Sequence, residues 1–308
     1  MIRNYDLKLG YSCNNDCIHC VIKDSKQRIS AERRGIDVST EDALSLVSSQ
    51  LEKGLDSITI TGGEVTLRND LLQIVDFCLD HSLAVSIQTN GRMLSSSRFH
   101  DALIGRKGIC FVIALHGVTA STHDSITRRR GSFAETLSGI RTVVSRSCPV
   151  VLKTVISKVN MVELPDFIPF MEQEHLSVIN MAFPHAQGAA RENFDLVVPR
   201  YSDLRSYLLE TSLRAKQAKI NLTFETVPPC ILPEFPELMS ELFYTYKEVS
   251  CTQVGEETFD WNVVRKTIKT KSTTCSACFF DKFCEGPWSE YVERFGALEF
   301  RPVKVSEE

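Results

Sequence analysis

Up to about residue 225 the chain alternates between two hydrophobic patterns. Short runs of β-branched and apolar residues are followed by longer stretches in which apolar positions recur every three or four residues. Six runs predict strands: Asp6–Tyr11, Ser57–Thr61, Ala84–Gln88, Ile109–Leu115, Val150–Val155 and Val178–Phe183, each bounded by polar residues or Gly. Strand and helix patterns in strict alternation predict βα units around a parallel sheet, an α/β fold with its chemistry gathered where the strands end. The helices carry start signals: Ser39-Thr40-Glu41-Asp42 precedes Ala43, Leu44, Leu46, Val47 and Leu51, with Gly54 as the stop. Ser132-Phe133-Ala134-Glu135 reads as a capping box before Leu137, Ile140 and Val144. After a last helix over Tyr201–Lys219 the alternation breaks, and Pro228, Pro229, Pro233 and Pro236 mark a linker. The expected division is therefore a large unit over 1–225 and a small Cys-rich extension over 226–308. No internal repeat or low-complexity tract interrupts either.

Composition narrows the class without naming a chemistry. With 308 residues, 43% hydrophobic and 24% charged, the chain can bury a large core and belongs with globular proteins. A net charge of −4 gives no bulk electrostatic reason to bind nucleic acid or an anionic membrane. Met1-Ile2-Arg3-Asn4-Tyr5 has no apolar signal region, and no apolar run is long enough to span a bilayer, so the expected compartment is the cytoplasm. Eleven cysteines there predict metal ligation rather than disulfides. Seven fall into two groups, Cys13 to Cys20 and Cys230 to Cys284; Cys78, Cys110, Cys148 and Cys251 are expected to be small core residues.

The first group is Cys13-Asn14-Asn15-Asp16-Cys17-Ile18-His19-Cys20, directly after the first predicted strand. Three thiolates so close can hold three irons of a [4Fe-4S] cluster and leave the fourth iron open. A zinc knuckle is the competing reading, with His19 as fourth ligand, though closing on adjacent residues strains tetrahedral geometry. After the second strand comes Thr61-Gly62-Gly63-Glu64, where a glycine pair allows close backbone approach and a carboxylate can accept from a ligand ammonium. The second group, Cys275, Cys278 and Cys284, needs a fourth partner to be closed by thiolates alone. Cys230, held extended by Pro228 and Pro229, is the expected fourth and Cys251 its rival; zinc suits this spacing as well as iron–sulfur does.

The cysteine triplet, then Gly62-Gly63-Glu64, then Gln88-Thr89-Asn90-Gly91 together resemble the radical S-adenosylmethionine (radical SAM) superfamily over most of the first 220 residues. The resemblance implies a partial (β/α)6 TIM barrel. It implies a [4Fe-4S] cluster on Cys13, Cys17 and Cys20 whose open iron chelates S-adenosylmethionine and delivers one electron to the sulfonium, releasing a 5'-deoxyadenosyl radical. Gly62, Gly63 and Glu64 would hold the methionyl amine, Gln88 or Asn90 would lie near the cofactor, and His19 would stand where relatives often place an aromatic on adenine. Lys153 and Asn160 match positions that often reach ribose or carboxylate. After the fourth strand, Ile113-Ala114-Leu115-His116-Gly117 departs from the frequent Ser-Leu-Asp-Gly, putting His116 at a strand end as a catalytic candidate. The late cysteines, with Tyr291 and Gly296 after them, resemble twitch or shortened SPASM extensions that carry one auxiliary [4Fe-4S] cluster.

The layout is most similar to peptide-modifying maturases of the His-Xaa-Ser type. The implied function is hydrogen abstraction from a ribosomally made peptide, with an electron donor such as flavodoxin or ferredoxin as partner. No separate leader-binding module is expected before Cys13. A small nucleoside, sugar or cofactor precursor is the alternative substrate, for which Arg128, Arg129 and Arg130 could hold a phosphate. A non-catalytic iron–sulfur or zinc protein is the remaining alternative.

Overall fold

The computed structural model describes residues 1–32, 35–96 and 102–304. Nine strands form one sheet: β1 (Ile2–Lys8), β2 (Ser57–Thr61), β3 (Ala84–Thr89), β4 (Ile109–Ala114), β5 (Val150–Val155), β6 (Val178–Ala182), β7 (Asn221–Glu225), β8 (Lys247–Thr252) and β9 (Phe259–Asp260). Their order is β7-β6-β5-β4-β3-β2-β1-β8-β9, parallel throughout except for the antiparallel β8–β9 pair. The sheet stays open, as a partial barrel.

Side-chain alternation explains why the sheet has two unlike faces. Tyr5 and Leu7 of β1, Ile58 and Ile60 of β2, and Val85 and Ile87 of β3 are buried in the main core. They pack beneath helices that contribute Ala43, Val47, Ile74, Val75, Ile140 and Val143. Each such aliphatic contributes about 1.5–3 kcal/mol by leaving water. The intervening residues, Asn4, Asp6, Lys8, Thr59, Thr61, Gln88, Lys153 and Thr223, are half-buried on the inner face. A closed barrel fills its interior with branched apolar side chains; this open one is polar along β1–β3 and mixed along β4 and β5, where Val112, Ala114, Val151 and Val155 share the inner face.

Predicted and observed strands agree to the residue at β2 and β5 and within two residues at β3, β4 and β6. β1 begins at Ile2 rather than Asp6 and ends at Lys8 rather than Tyr11. Beyond Lys8 the chain remains extended and leaves the ladder in steps: Leu9 N still donates to Thr61 O of β2 (2.9 Å), but Val38 N donates to Leu9 O (2.9 Å) and Tyr11 N to Ile36 O (2.9 Å). The sheet also continues where the pattern was expected to break, because β7 follows the helix Tyr201–Ala218 and β8 runs parallel beside β1. The helix Thr40–Leu51 is capped as predicted by Ser39, which accepts from Asp42 N (3.1 Å). The capping box at Ser132 does not form. Gly131 is the N-cap of Ser132–Ser145, and Asp124 caps it from the preceding helix through Gly131 N (2.6 Å) and Phe133 N (2.8 Å). Among the described residues no helix is long and apolar enough to cross a membrane.

A buried ionic network joins the last third of the chain to the barrel. Lys269 Nζ lies 2.9 Å from Glu241 Oε1 and 3.1 Å from Glu285 Oε2, and Arg265 Nε lies 2.7 Å from Glu285. Glu241 also accepts from Thr226 N at the end of β7 (2.6 Å). Removing one member strands the rest: Lys269→Met should destabilise the protein by about 3–5 kcal/mol in urea unfolding, because two carboxylates lose a desolvated partner. A change under about 1 kcal/mol at neutral pH would show that the network is unimportant.

Candidate functional site

The segment Gly10–Cys20 leaves the end of β1 and is held from every neighbouring strand end. Gly63 N donates to Gly10 O and Glu64 N to Ser12 O, both at 2.8 Å. A Cβ on Gly62 would stand 2.2 Å from Gly10 O and one on Gly63 2.2 Å from Ser12 O, so only glycines allow the two backbones to meet. Asp37 clamps the other side, accepting from Tyr11 N (3.0 Å), Ser12 N (3.1 Å) and Ser12 Oγ (2.5 Å). The Glu64 carboxylate, 2% exposed, ties β2 to β3: Oε1 accepts from Thr66 N (3.0 Å) and Thr89 Oγ1 (2.6 Å), and Oε2 from Asn90 N (2.6 Å).

Past β3, Asn90 Nδ2 donates to Asn14 Oδ1 (2.6 Å), while Arg92 Nη1 reaches Asn14 O (2.6 Å) and Asn15 Oδ1 (2.9 Å). Arg92 therefore supports the cysteine loop from within, a role that nothing in its local sequence announces. Further round, Asp16 N donates to Thr127 O (3.0 Å), Ile18 N to Ile126 O (2.9 Å) and Ala189 N to Cys20 O (2.9 Å).

This frame leaves Cys13, Cys17 and Cys20 half-buried with free thiols. Burial pushes all three thiols up; the charge of Cys20 and Cys13 adds to the effect at Cys17. Thiols that resist ionising together need a cation to become thiolates, which is the donor chemistry of a metal centre. Asn15 N points at Cys13 Sγ (3.4 Å), the kind of N–H···S contact that tunes iron–sulfur centres.

Behind the loop stand three buried histidines. His19 meets His116 edge-on with ring centroids 4.5 Å apart, and His116 lies parallel to His123 at 5.9 Å. Burial holds all three well below the ordinary imidazole range, His19 and His123 at about 4, so they are neutral at pH 7. Val155 N donates to His116 Nδ1 (3.3 Å), which puts the ring proton on Nε2. One ring nitrogen each of His19 and His116 lies with Cys17 Sγ inside a 4.8 Å triangle. His19 Nδ1 is buried with no partner.

The remaining predicted residues are placed as follows. Gln88 Oε1 accepts from Thr61 Oγ1 (3.1 Å), and Lys153 pairs with Glu225 at 3.0 Å. Asn160 is fully buried and spends its amide on the backbone, donating to His116 O and Val155 O (both 2.9 Å) and accepting from Ser157 N (2.7 Å). It is a loop clamp, and the expected reach to ribose is not available to it.

The late cysteines gather round one cavity, lined by Cys230, Cys275, Cys278, Cys284, Pro228 and Pro229. Burial, and then the charges of Cys284, Cys278 and Cys275, push the Cys230 thiol up to about 12; Cys284 is pushed to about 11, chiefly by burial. Two further N–H···S contacts, Gly286 N to Cys284 and Val303 N to Cys278 at 3.3 Å, make this a second set of four donors suited to a metal centre. Cys251 is elsewhere. Buried on β8 opposite Asp6, its sulfur lies 3.5 Å from Lys8 Nζ and 3.7 Å from Asp6 Oδ1, and it is not among the residues that line that cavity. Cys110 is half-buried, while Cys78 and Cys148 lie in the core.

Comparison with known proteins agrees with this geometry. Residues 7–171 match the Radical SAM superfamily. The AdoMet-dependent heme synthase of Methanosarcina barkeri is 23% identical over 224 residues, 72% of this chain and 61% of that protein. Mycofactocin maturase MftC of Mycobacterium ulcerans is 25% identical over 184 residues, 59% of this chain and 48% of that one. The chain thus spans less than two thirds of these relatives. Among solved structures, SuiB of Streptococcus suis bound to S-adenosylmethionine superposes with a TM-score of 0.69 over 99% of this chain and 77% of SuiB, at 15% identity. SuiB bound to its precursor peptide SuiA gives 0.68 over 99% and 76%. At that identity the likeness is one of fold. The family match covers more than half of the chain, including both the cysteine loop and the glycine pair that fixes it; this protein belongs to the radical SAM superfamily, enzymes that use S-adenosylmethionine and a [4Fe-4S] cluster.

Proposed function

We propose that this enzyme modifies a peptide by abstracting a hydrogen atom, with Cys13, Cys17 and Cys20 holding the S-adenosylmethionine cluster and Cys230, Cys275, Cys278 and Cys284 an auxiliary one. When bound, the first cluster and S-adenosylmethionine supply the 5'-deoxyadenosyl radical. The observation that carries the reading is the convergence of four late cysteines on one cavity, in a chain whose whole length follows the fold of a peptide-binding relative. The half-buried polar side chains that β1–β3, Lys153 and Thr223 place on the inner face support it, because a peptide brings amides and side-chain dipoles that they can pair. The heme synthase among the relatives favours a second reading, in which the same radical chemistry acts on a small cofactor precursor.

This chain's own residues take distinct parts. The Gly62-Gly63 turn and Glu64 Oε2, which has acceptor capacity beyond the bond from Asn90 N, would hold the methionyl ammonium. Gln88, Asn90 and Lys153 would orient the cofactor's polar groups from the ends of β3 and β5. His19 would offer its buried Nδ1 in a hydrogen bond rather than a stacked ring. His116 would act as a neutral donor through Nε2 beside the loop. The segment after 225 would form the auxiliary-cluster unit, and a flavodoxin- or ferredoxin-like protein would supply electrons.

Two measurements test the proposal. Anaerobic reconstitution should yield about eight irons per chain, falling to about four in Cys230→Ala and staying near eight in Cys251→Ala; an unchanged count in Cys230→Ala would remove the auxiliary site. Cys13→Ala should abolish reductive cleavage of S-adenosylmethionine. With a deuterated candidate peptide, mass spectrometry should find the label in 5'-deoxyadenosine. Transfer only from a small-molecule precursor would establish the second reading instead.

A further inference from the structure

Three consecutive arginines, Arg128–Arg130, are all exposed in the turn between helices Ala120–Thr127 and Ser132–Ser145. Both helices put side chains into the core beneath the sheet's apolar face, Ile126 from the first and Ile140 and Val143 from the second. Their connecting turn therefore belongs to the outer layer, away from the polar inner face where a substrate would meet the cofactor. A substrate phosphate is a poor match for that position.

The turn stands directly beside the cysteine loop. Residues Ile126 and Thr127, just before it, accept from Ile18 N and Asp16 N. Arg128 Nη2 donates to Asn193 Oδ1 (3.0 Å), and Asn193 Nδ2 in turn donates to Ile18 O (3.2 Å). The solvent side of the loop is open at Asp16 and Val21. Around it, Lys23, Lys26, Arg191 and the three arginines outnumber Asp16, Asp24, Asp124 and Glu192 in the same stretches of chain; Asp24 and Glu192 already pair with Arg191 and Lys23, and Asp124 is taken up by Gly131 N and Phe133 N. This local positive excess sits on a chain whose net charge is −4. Such a patch on an otherwise acidic protein selects how a negatively charged partner approaches.

We propose that the arginine turn is the docking surface for a negatively charged one-electron carrier protein, which binds over the solvent side of the Cys13–Cys20 loop. In the encounter the carrier loses one electron and the centre held by the loop gains it; no bond or proton is exchanged. The proposal rests on the radical-enzyme reading, which needs an external low-potential electron.

The probe is a reduced bacterial flavodoxin with the anaerobically reconstituted enzyme at low salt. Arg129→Glu/Arg130→Glu leaves the Arg128–Asn193 contact intact. It should weaken flavodoxin binding at least tenfold in calorimetry and slow flavodoxin-driven bleaching of the iron–sulfur absorption by a similar factor. Reduction by dithionite, which needs no docking surface, should be unchanged. Arg129→Ala/Arg130→Ala should fall between the two, and the wild-type advantage should fade as salt approaches 0.5 M. Unchanged binding in the Glu variant overturns the proposal. So does loss of flavodoxin binding through Phe279→Ala/Phe283→Ala instead, which would place the carrier at the late cysteines. Weakened binding of an acidic peptide with flavodoxin binding intact would assign the arginines to substrate. Failure of dithionite to reduce even the wild type would sink the radical-enzyme reading rather than the docking surface.

Discussion

Everything in the site depends on the near-contact of two backbones. Where β2 ends, Gly62 and Gly63 press against Gly10–Ser12 so closely that a single methyl group would collide with a carbonyl oxygen. The contact converts the end of a strand into the start of a rigid loop. Once Gly10 and Ser12 are bonded to Gly63 and Glu64, the path toward Cys13 is set, and the remaining braces refine it. Glu64 then hands the constraint on to β3 through Thr89 and Asn90, and Asn90 returns it to Asn14 in the loop. The result is a closed circuit of bonds with the first cysteine inside it, so that preorganisation of the donors is a property of the strand ends rather than of the loop's own composition.

Burial and charge act together on that circuit. The thiols are raised by desolvation and by each other, and neutral imidazoles, not cations, lie behind them. At the late cysteines burial likewise raises Cys230 and Cys284, on different scaffolding, with Pro228 and Pro229 lining the same cavity.

The sequence made the sheet legible where local chemistry was self-sufficient. Ser57–Thr61 and Val150–Val155 are β-branched runs with firm polar boundaries, and both strands form as read. β7 and β8 were not legible, since Asn221–Glu225 and Lys247–Thr252 each carry few apolar residues and become strands by pairing with neighbours already in place. The cysteine groups and Gly62-Gly63-Glu64 were visible because their spacing is local. Arg92 and Asp37 were invisible for the opposite reason: an arginine or aspartate has no signature until the fold brings it to a loop some eighty or twenty-five residues away. The placement of Cys251 was of the same kind, since only the register of β8 sets it opposite Asp6.

That register has a consequence for how the molecule is made. β1 is an interior strand, and Asp6 waits for a partner sulfur 245 residues further along. While the chain is being synthesised, the first seven strands can assemble in order, each beside its predecessor. One edge of β1 meanwhile stays unpaired until Lys247–Thr252 has emerged. An open parallel edge of this kind is slow to satisfy and prone to recruit the wrong strand. The C-terminal part of this protein is therefore a seal as well as a carrier of cysteines: its arrival ends the period in which the nascent barrel could pair with a neighbour.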